Sequence, residues 1–127
     1  MKFIIMMTAT LVAAAGPAFG QDLDAGETSF RKCLPCHAVG EAARNKVGPV
    51  LNGLEGRRSG TIEGYSYTQA NKDADIVWSD PTFKDYIMDP RGKIPGTKMI
   101  FNGIKDDAEI GNLWAYLKQF GPDGKKK

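Results

Sequence analysis

Histidine and cysteine are scarce in this 127-residue sequence, which has one His and two Cys. A single His excludes any site built on two imidazoles, and two Cys exclude a multi-bridge disulfide scaffold. A structural zinc site needs four ligands, and Cys and His together supply three. No charge sign dominates: 17 Lys+Arg against 15 Asp+Glu give a formal net charge of +2. That is too balanced for a polybasic nucleic-acid binder or an acidic disordered tail. No internal repeat, low-complexity stretch or long linker interrupts the chain. What it has in quantity is turn formers, 15 Gly and 7 Pro, so much of it is loop.

The first twenty residues read separately. Lys2 gives a positive start, Phe3 to Ala15 is an uncharged apolar run, and Gly16-Pro17 break it. The run is short of the about 20 residues that span a bilayer. Ala18-Phe19-Gly20 then places small residues at −3 and −1 of a cut before Gln21. This is the pattern of a secretory signal peptide. The expected organisation is a leader over 1–20 and one domain over 21–127, with no transmembrane segment after cleavage. Losing Lys2 lowers the formal charge to +1. The destination lies outside the cytoplasm, where thiols tend to oxidise, so the Cys pair needs a fate.

Caps and periodicity predict three main helices and no strand pair. The first runs from about Ala25 to Cys33, with Asp24 as N-cap and Glu27 reaching back. The second follows Asp80-Pro81 as cap and first helical residue, with Phe83, Tyr86 and Ile87 on one face, and stops near Asp89-Pro90. The third is capped by Asp106 with Glu109; Ile110, Leu113, Trp114 and Leu117 then follow i, i+3, i+4, i+7, and Gly121-Pro122 ends it. A short helix is expected at Thr68 to Lys72. Val47 to Tyr67, with Gly48, Gly53, Gly56, Gly60 and Gly64, reads as a long Ω-like loop. Asp123 to Lys127 reads as a frayed polar tail.

Both Cys and the lone His fall in one motif, Cys33-Leu34-Pro35-Cys36-His37. Cys-x-x-Cys-His is the c-type haem attachment signature. Two thiols three residues apart can each bond one vinyl group of the same porphyrin, and the next residue projects an imidazole at the iron. A thioredoxin-like redox pair needs a strand and a βαβ fold, neither of which is visible, and a simple disulfide leaves His37 without a role. The motif therefore calls for one haem c, covalent through Cys33 and Cys36, with His37 on the iron. With no second His, the other axial ligand falls to a Met. Met1, Met6 and Met7 leave with the leader, so Met88 and Met99 remain. Met88 sits inside a predicted helix, where core packing is the default. Met99 follows Pro95-Gly96, a stiff turn suited to presenting one side chain, and is preferred.

Taken together, the mature chain resembles the class I cytochromes c, close to small bacterial cytochromes c2 and to mitochondrial cytochrome c. The resemblance rests on Cys33-Leu34-Pro35-Cys36-His37, on Asn45-Lys46-Val47-Gly48-Pro49, on Gly64-Tyr65-Ser66-Tyr67-Thr68 with Asn71 and Trp78, and on Pro95-Gly96-Thr97-Lys98-Met99-Ile100-Phe101. The leader points to the bacterial branch. The resemblance implies an all-α fold with helices wrapped around one haem and long Gly-rich loops. It implies that the Pro49 carbonyl accepts from His37 and that Tyr86 donates near the Met99 sulfur. Arg57, Tyr67 and Trp78 would serve the haem propionates, with Asn71, Thr97 and Tyr65 in the polar network. Gly26 and Phe30 would pack the first helix on the Leu113–Leu117 face.

Two fixed axial ligands leave no open position for substrate, which favours one-electron transfer over enzymatic or sensing chemistry. Residues 91–105 carry Arg91, Lys93, Lys98 and Lys105 with no acid, and residues 31–58 carry six basic residues against Glu41 and Glu55. Lys32, Lys46, Arg91, Lys93, Lys98 and Lys105, with Phe101, are thus candidates for a docking surface that steers acidic partners. The resemblance implies a periplasmic monomer with a cytochrome bc1 complex as donor and a reaction centre or terminal oxidase as acceptor. Service to a periplasmic dehydrogenase is the alternative carrier role. A haem enzyme or sensor would require labile Met99 ligation.

Overall fold

The computed structural model describes residues 9–12 and 21–127. Most of the expected leader, including its cleavage-site residues and Met1, Met6 and Met7, lies outside the described residues. Among the described residues five helices follow in order: α1 (Leu23–Phe30), α2 (Gln69–Asp73), α3 (Asp80–Met88), α4 (Pro90–Lys93) and α5 (Asp107–Leu117). Among the described residues the only β pairing is two isolated bridges, Arg58 with Val77 and Phe120 with Lys126.

The two end helices form the frame. The hydrophobic period of α5 turns Ile110, Leu113, Trp114 and Leu117 inward, and all four are buried. Burying each such side chain contributes about 1.5–3 kcal/mol. Helix α1 crosses α5 at Gly26, where a Cβ would stand 2.1 Å from the Asn112 carbonyl oxygen and 2.8 Å from Tyr116 Cβ. Only glycine permits that approach. Phe30 packs on Tyr116 with ring centroids 5.5 Å apart, and Phe83 of α3 stacks on Trp114 at 5.0 Å.

Helix boundaries differ from the sequence expectation at their caps. Asp22, not Asp24, caps α1: its carboxylate accepts the N–H groups of Asp24 and Ala25. The helix proper ends at Phe30, and Cys33 and Cys36 lie on the turns that follow. Ser79, not Asp80, caps α3, in a reciprocal box with Thr82. Asp106 caps α5 as expected by accepting from Glu109 N–H. That helix ends at Leu117, earlier than Gly121-Pro122.

Asp89 closes α3 and caps the short α4, which Pro90 begins instead of merely stopping a helix. The C-terminal residues do not fray. Lys127 N–H donates to Gln119 O at 2.8 Å and Gly121 N–H to Lys125 O at 2.9 Å, because Gly121-Pro122 folds the chain back on itself.

The long segment over residues 47–67 has no helix and is held by its own side chains. Tyr65 Oη donates to Val47 O at 2.6 Å, Tyr67 Oη accepts from Ile62 N–H at 3.1 Å, and the two tyrosine rings meet edge to face at 4.7 Å. Residues of this loop line a cleft together with residues of the turn after α1, of α3, of 97–101 and of α5.

Candidate functional site

The cleft encloses a cavity of about 330 Å³, within the range of cofactor pockets. Cys33, Cys36, His37 and Met99 all line it, with Leu51, Trp78, Phe83, Ile87, Leu113 and Leu117 among its apolar walls. The sequence thus sends both candidate axial residues to one cavity from positions 62 apart. Met88 is not on the lining; it packs half-buried against the core at the end of α3.

His37 is fixed on two sides. Its Nδ1 lies 2.7 Å from Pro49 O, so Nδ1–H donates and Nε2 is left with the lone pair. Gly48 presses on the same ring: a Cβ there would stand 2.4 Å from Cε1. Burial holds the imidazole below its usual pKa, partly opposed by the Pro49 carbonyl, while Arg57 and Lys46 add to the lowering. The ring is therefore a neutral, oriented imidazole at neutral pH.

Met99 is half-buried, and its sulfur accepts from Tyr86 Oη at 3.0 Å. Burial pushes the Tyr86 phenol up to about 12, so it remains a donor at neutral pH. Thr97 Oγ1 accepts from Met99 N–H at 3.3 Å and steadies the loop.

Cys33 and Cys36 lie on the turn after α1 and are not joined in a disulfide. Burial pushes Cys33 up to about 11, a pKa far from that of a redox-active thiolate. The donor set fits a covalent porphyrin: two thiols, one oriented imidazole and one thioether on an apolar cavity.

Several polar side chains share the cavity lining. Arg57, half-buried, spends Nη1 on Val50 O at 2.9 Å and Asn52 O at 3.1 Å, and still lines the cleft. Burial lowers its pKa, with Tyr67 opposing. No acidic residue is near enough to pair with it among the described ion pairs. Tyr65, Tyr67, Asn71, Trp78 and Thr97 line the same cavity, and Asn71 Oδ1 accepts from Thr68 Oγ1 at 2.8 Å. An unpaired guanidinium among neutral donors suits the carboxylates of a porphyrin.

A family comparison decides what this arrangement is: the cytochrome c family model matches residues 23–121. The chain belongs to the cytochrome c family. It is 70% identical to a cytochrome c2 of Rhodoplanes tepidamans over 107 residues, 84% of this chain and all of that one. It is 53% identical to a cytochrome c2 of Blastochloris viridis over the whole of both chains. A cytochrome c-550 of Bradyrhizobium diazoefficiens is 63% identical over 103 residues, 81% of this chain and 76% of that one. The cytochrome therefore has the class I fold, of the bacterial c2 type, carries one haem c covalently on Cys33 and Cys36, and functions in electron transport.

The candidate docking residues divide. Lys32, Lys98 and Phe101 border the cleft; Lys46, Arg91, Lys93 and Lys105 do not line it. Lys32 is paired with Glu109 and Lys93 with Asp85. Lys46 donates instead to Leu34 O at 2.6 Å, Lys98 to Ser66 O, and Lys105 to Met88 O. Arg91 reaches Asn102 Oδ1 at 3.4 Å.

Sequence reasoning missed the apolar members of this surface. Val47 and Ile100 line the cleft yet are 70% and 88% exposed, and Leu34 between the cysteines is 46% exposed. Their signal was available: each is a large apolar residue within a segment already assigned to the haem. No helix among the described residues is long and apolar enough to cross a membrane.

Proposed function

We propose that this cytochrome is a periplasmic carrier whose iron is held by His37 and Met99, and that it shuttles electrons from a cytochrome bc1 complex to a reaction centre or terminal oxidase. One observation carries the ligand assignment. His37 and Met99 share one cavity, each locked by its own hydrogen bond, Nδ1 to Pro49 O and Sδ from Tyr86 Oη. The haem, when bound, supplies a one-electron ferric–ferrous couple.

The chain's own residues tune and hold it. Donation from Nδ1–H to Pro49 O raises the basicity of Nε2 and fixes the ring. The soft thioether of Met99 favours the ferrous state and raises the potential. Apolar walls act in the same direction, because low dielectric disfavours the state with the extra positive charge. Arg57, Tyr67 and Trp78 would receive the propionates, with Asn71 and Thr97 completing the polar network. Two protein ligands held by separate elements leave no coordination position for a substrate, which supports a carrier over an enzyme.

Docking combines two kinds of surface. Leu34, Val47 and Ile100 expose apolar area beside the cleft and exclude water on contact. Lys46, Lys98 and Lys105 are held by main-chain carbonyls, which fix an ammonium without neutralising it. Lys32 and Lys93 are compensated by carboxylates and steer less. We place these charges as the steering set for an acidic partner.

The periplasmic address rests on the leader pattern over residues 1–20. Residues 21–127 number 107, the length over which the Rhodoplanes tepidamans cytochrome c2 is matched in full. Oxidation of the ferrous cytochrome by membranes from its source organism tests the partner assignment. Saturable oxidation, driven by light or by oxygen, is expected. No turnover in either mode moves the role to a periplasmic dehydrogenase.

A further inference from the structure

We infer that Asn102 is a site of spontaneous modification: its side-chain amide is lost through an imide formed with Gly103, leaving aspartate or isoaspartate in the loop after Met99. The chain has two Asn-Gly pairs, Asn52-Gly53 and Asn102-Gly103, and the fold treats them oppositely. The chemistry is the same for each. The glycine main-chain nitrogen gives its proton to hydroxide and attacks Cγ of the asparagine. The N–Cγ bond forms, the Cγ–Nδ2 bond breaks, and Nδ2 leaves as ammonia with a proton taken from water. Water then opens the five-membered imide at either carbonyl, giving aspartate or isoaspartate. Water is the one co-reactant, and nothing is oxidised or reduced. Glycine after the asparagine favours the step because no Cβ restricts the backbone as the ring closes.

The fold closes the first pair. Asn52 is buried, its Nδ2 donates to Gly40 O at 2.9 Å, and its Oδ1 accepts from Gly40 N–H at 2.9 Å. The attacking nitrogen is occupied as well, since Gly53 N–H donates to Phe120 O at 3.0 Å. The second pair is open. Asn102 is exposed, and its one hydrogen bond among the described residues is long, Oδ1 accepting from Arg91 Nη2 at 3.4 Å. That contact leaves Nδ2 free to depart and draws electron density from Cγ. Gly103 N–H has no acceptor among the described residues. The fold nonetheless requires glycine there: φ is +101°, and a Cβ would stand 2.2 Å from Met88 O. Conversion places a carboxylate beside Arg91, in a stretch over residues 91–105 that otherwise has no acid. Its effect on docking rests on the steering charges proposed above; the conversion itself does not.

Ageing the holoprotein in mildly alkaline buffer, followed by isoelectric focusing and by peptide mapping with isoaspartyl methyltransferase labelling, tests this. Three hydrogen bonds must open before Asn52 reacts and one weak one before Asn102, so Asn102 should convert about tenfold faster or more. The aged protein should focus as a more acidic form, with aspartate and isoaspartate at 102 and an intact Asn52. Unfolded in guanidinium chloride, the two sites should convert at similar rates. No conversion of Asn102 in the folded holoprotein, or conversion of Asn52 at the same rate, overturns the inference. Asn102→Gln, an exposed change that leaves the fold as in the parent, should age without the acidic shift. Asn102→Asp should be oxidised by the acceptor more slowly than Asn102→Gln at low salt and at the same rate at high salt. Equal rates at low salt, with Asn102 converting as expected, would overturn the steering reading and leave the modification standing.

Discussion

The phenol of Tyr86 on α3 donates to the Met99 sulfur at 3.0 Å, joining a buried helix residue to the loop 13 positions on. A donor on the sulfur draws electron density from it, and ferric iron needs that density more than ferrous iron does. Tyr86→Phe should therefore lower the midpoint potential. One hydrogen bond contributes about 0.5–1.5 kcal/mol, which bounds the shift at roughly 20–60 mV for one electron. Equilibrium redox titration of the two holoproteins measures it.

The α1–α5 crossing has no room for a methyl group. Gly26→Ala puts a Cβ against the Asn112 carbonyl oxygen and should cost about 1–3 kcal/mol of stability. For a domain of this size each kcal/mol lowers Tm by about 4–8 °C. Thermal unfolding followed by circular dichroism reads the loss, while the potential stays near that of the parent because the cavity is untouched.

Glu109 links the same helices through Lys32 and Ser29. The Lys32 hydrogen bond, opposed by burial and aided by Ser29, holds its carboxyl below the usual value of 4.5. The folded pKa is thus below the unfolded one. The contribution is complete above the ordinary carboxylate range and is lost as pH falls through the folded value. Glu109→Gln should lose less than about 1 kcal/mol near neutrality, since Lys32 is well exposed. The gap from the parent should narrow below pH 4.5. Denaturant midpoints across that range give the comparison.

Steering should depend on the lysines whose charge is not compensated. Reversal at Lys46, Lys98 and Lys105 should slow bimolecular oxidation by the acceptor more than reversal at Lys93, already paired with Asp85, or at Lys125, Lys126 and Lys127. The rate should fall with salt as the Debye length drops from about 10 Å at 0.1 M to about 3 Å at 1 M. Stopped-flow rates over a salt series test both. Indifference to salt and to all reversals would transfer docking to Val47 and Ile100.

Much of the site was legible because its chemistry is carried by rare residues. The only His and both Cys sit in five consecutive positions, and Pro95-Gly96 marks the Met99 loop. The α5 face was legible because burial imposes a helical period on apolar residues. Caps were harder. Asp22 and Asp24 are the same residue type two positions apart, and the Glu27 spacing favoured the wrong one. Glu109 looked like the second half of a local box, but its side chain serves Ser29 and Lys32, 80 and 77 positions away. The turn at Gly121-Pro122 was visible as a helix stop, but its effect on the last residues depends on pairing with Gln119. Which lysines retain free charge is a tertiary property. Lys46 and Lys93 look alike in sequence and differ only in whether a carbonyl or a carboxylate faces them.

The sulfur-to-iron charge-transfer band of the ferric holoprotein, at the red end of its visible spectrum, tests the ligand assignment most directly. The parent and Met88→Ala should both show the band and resist carbon monoxide when reduced. Met99→Ala should lack the band, bind carbon monoxide and have a lower midpoint potential. A band that survives Met99→Ala and vanishes in Met88→Ala would contradict the assignment of Met99 to the iron.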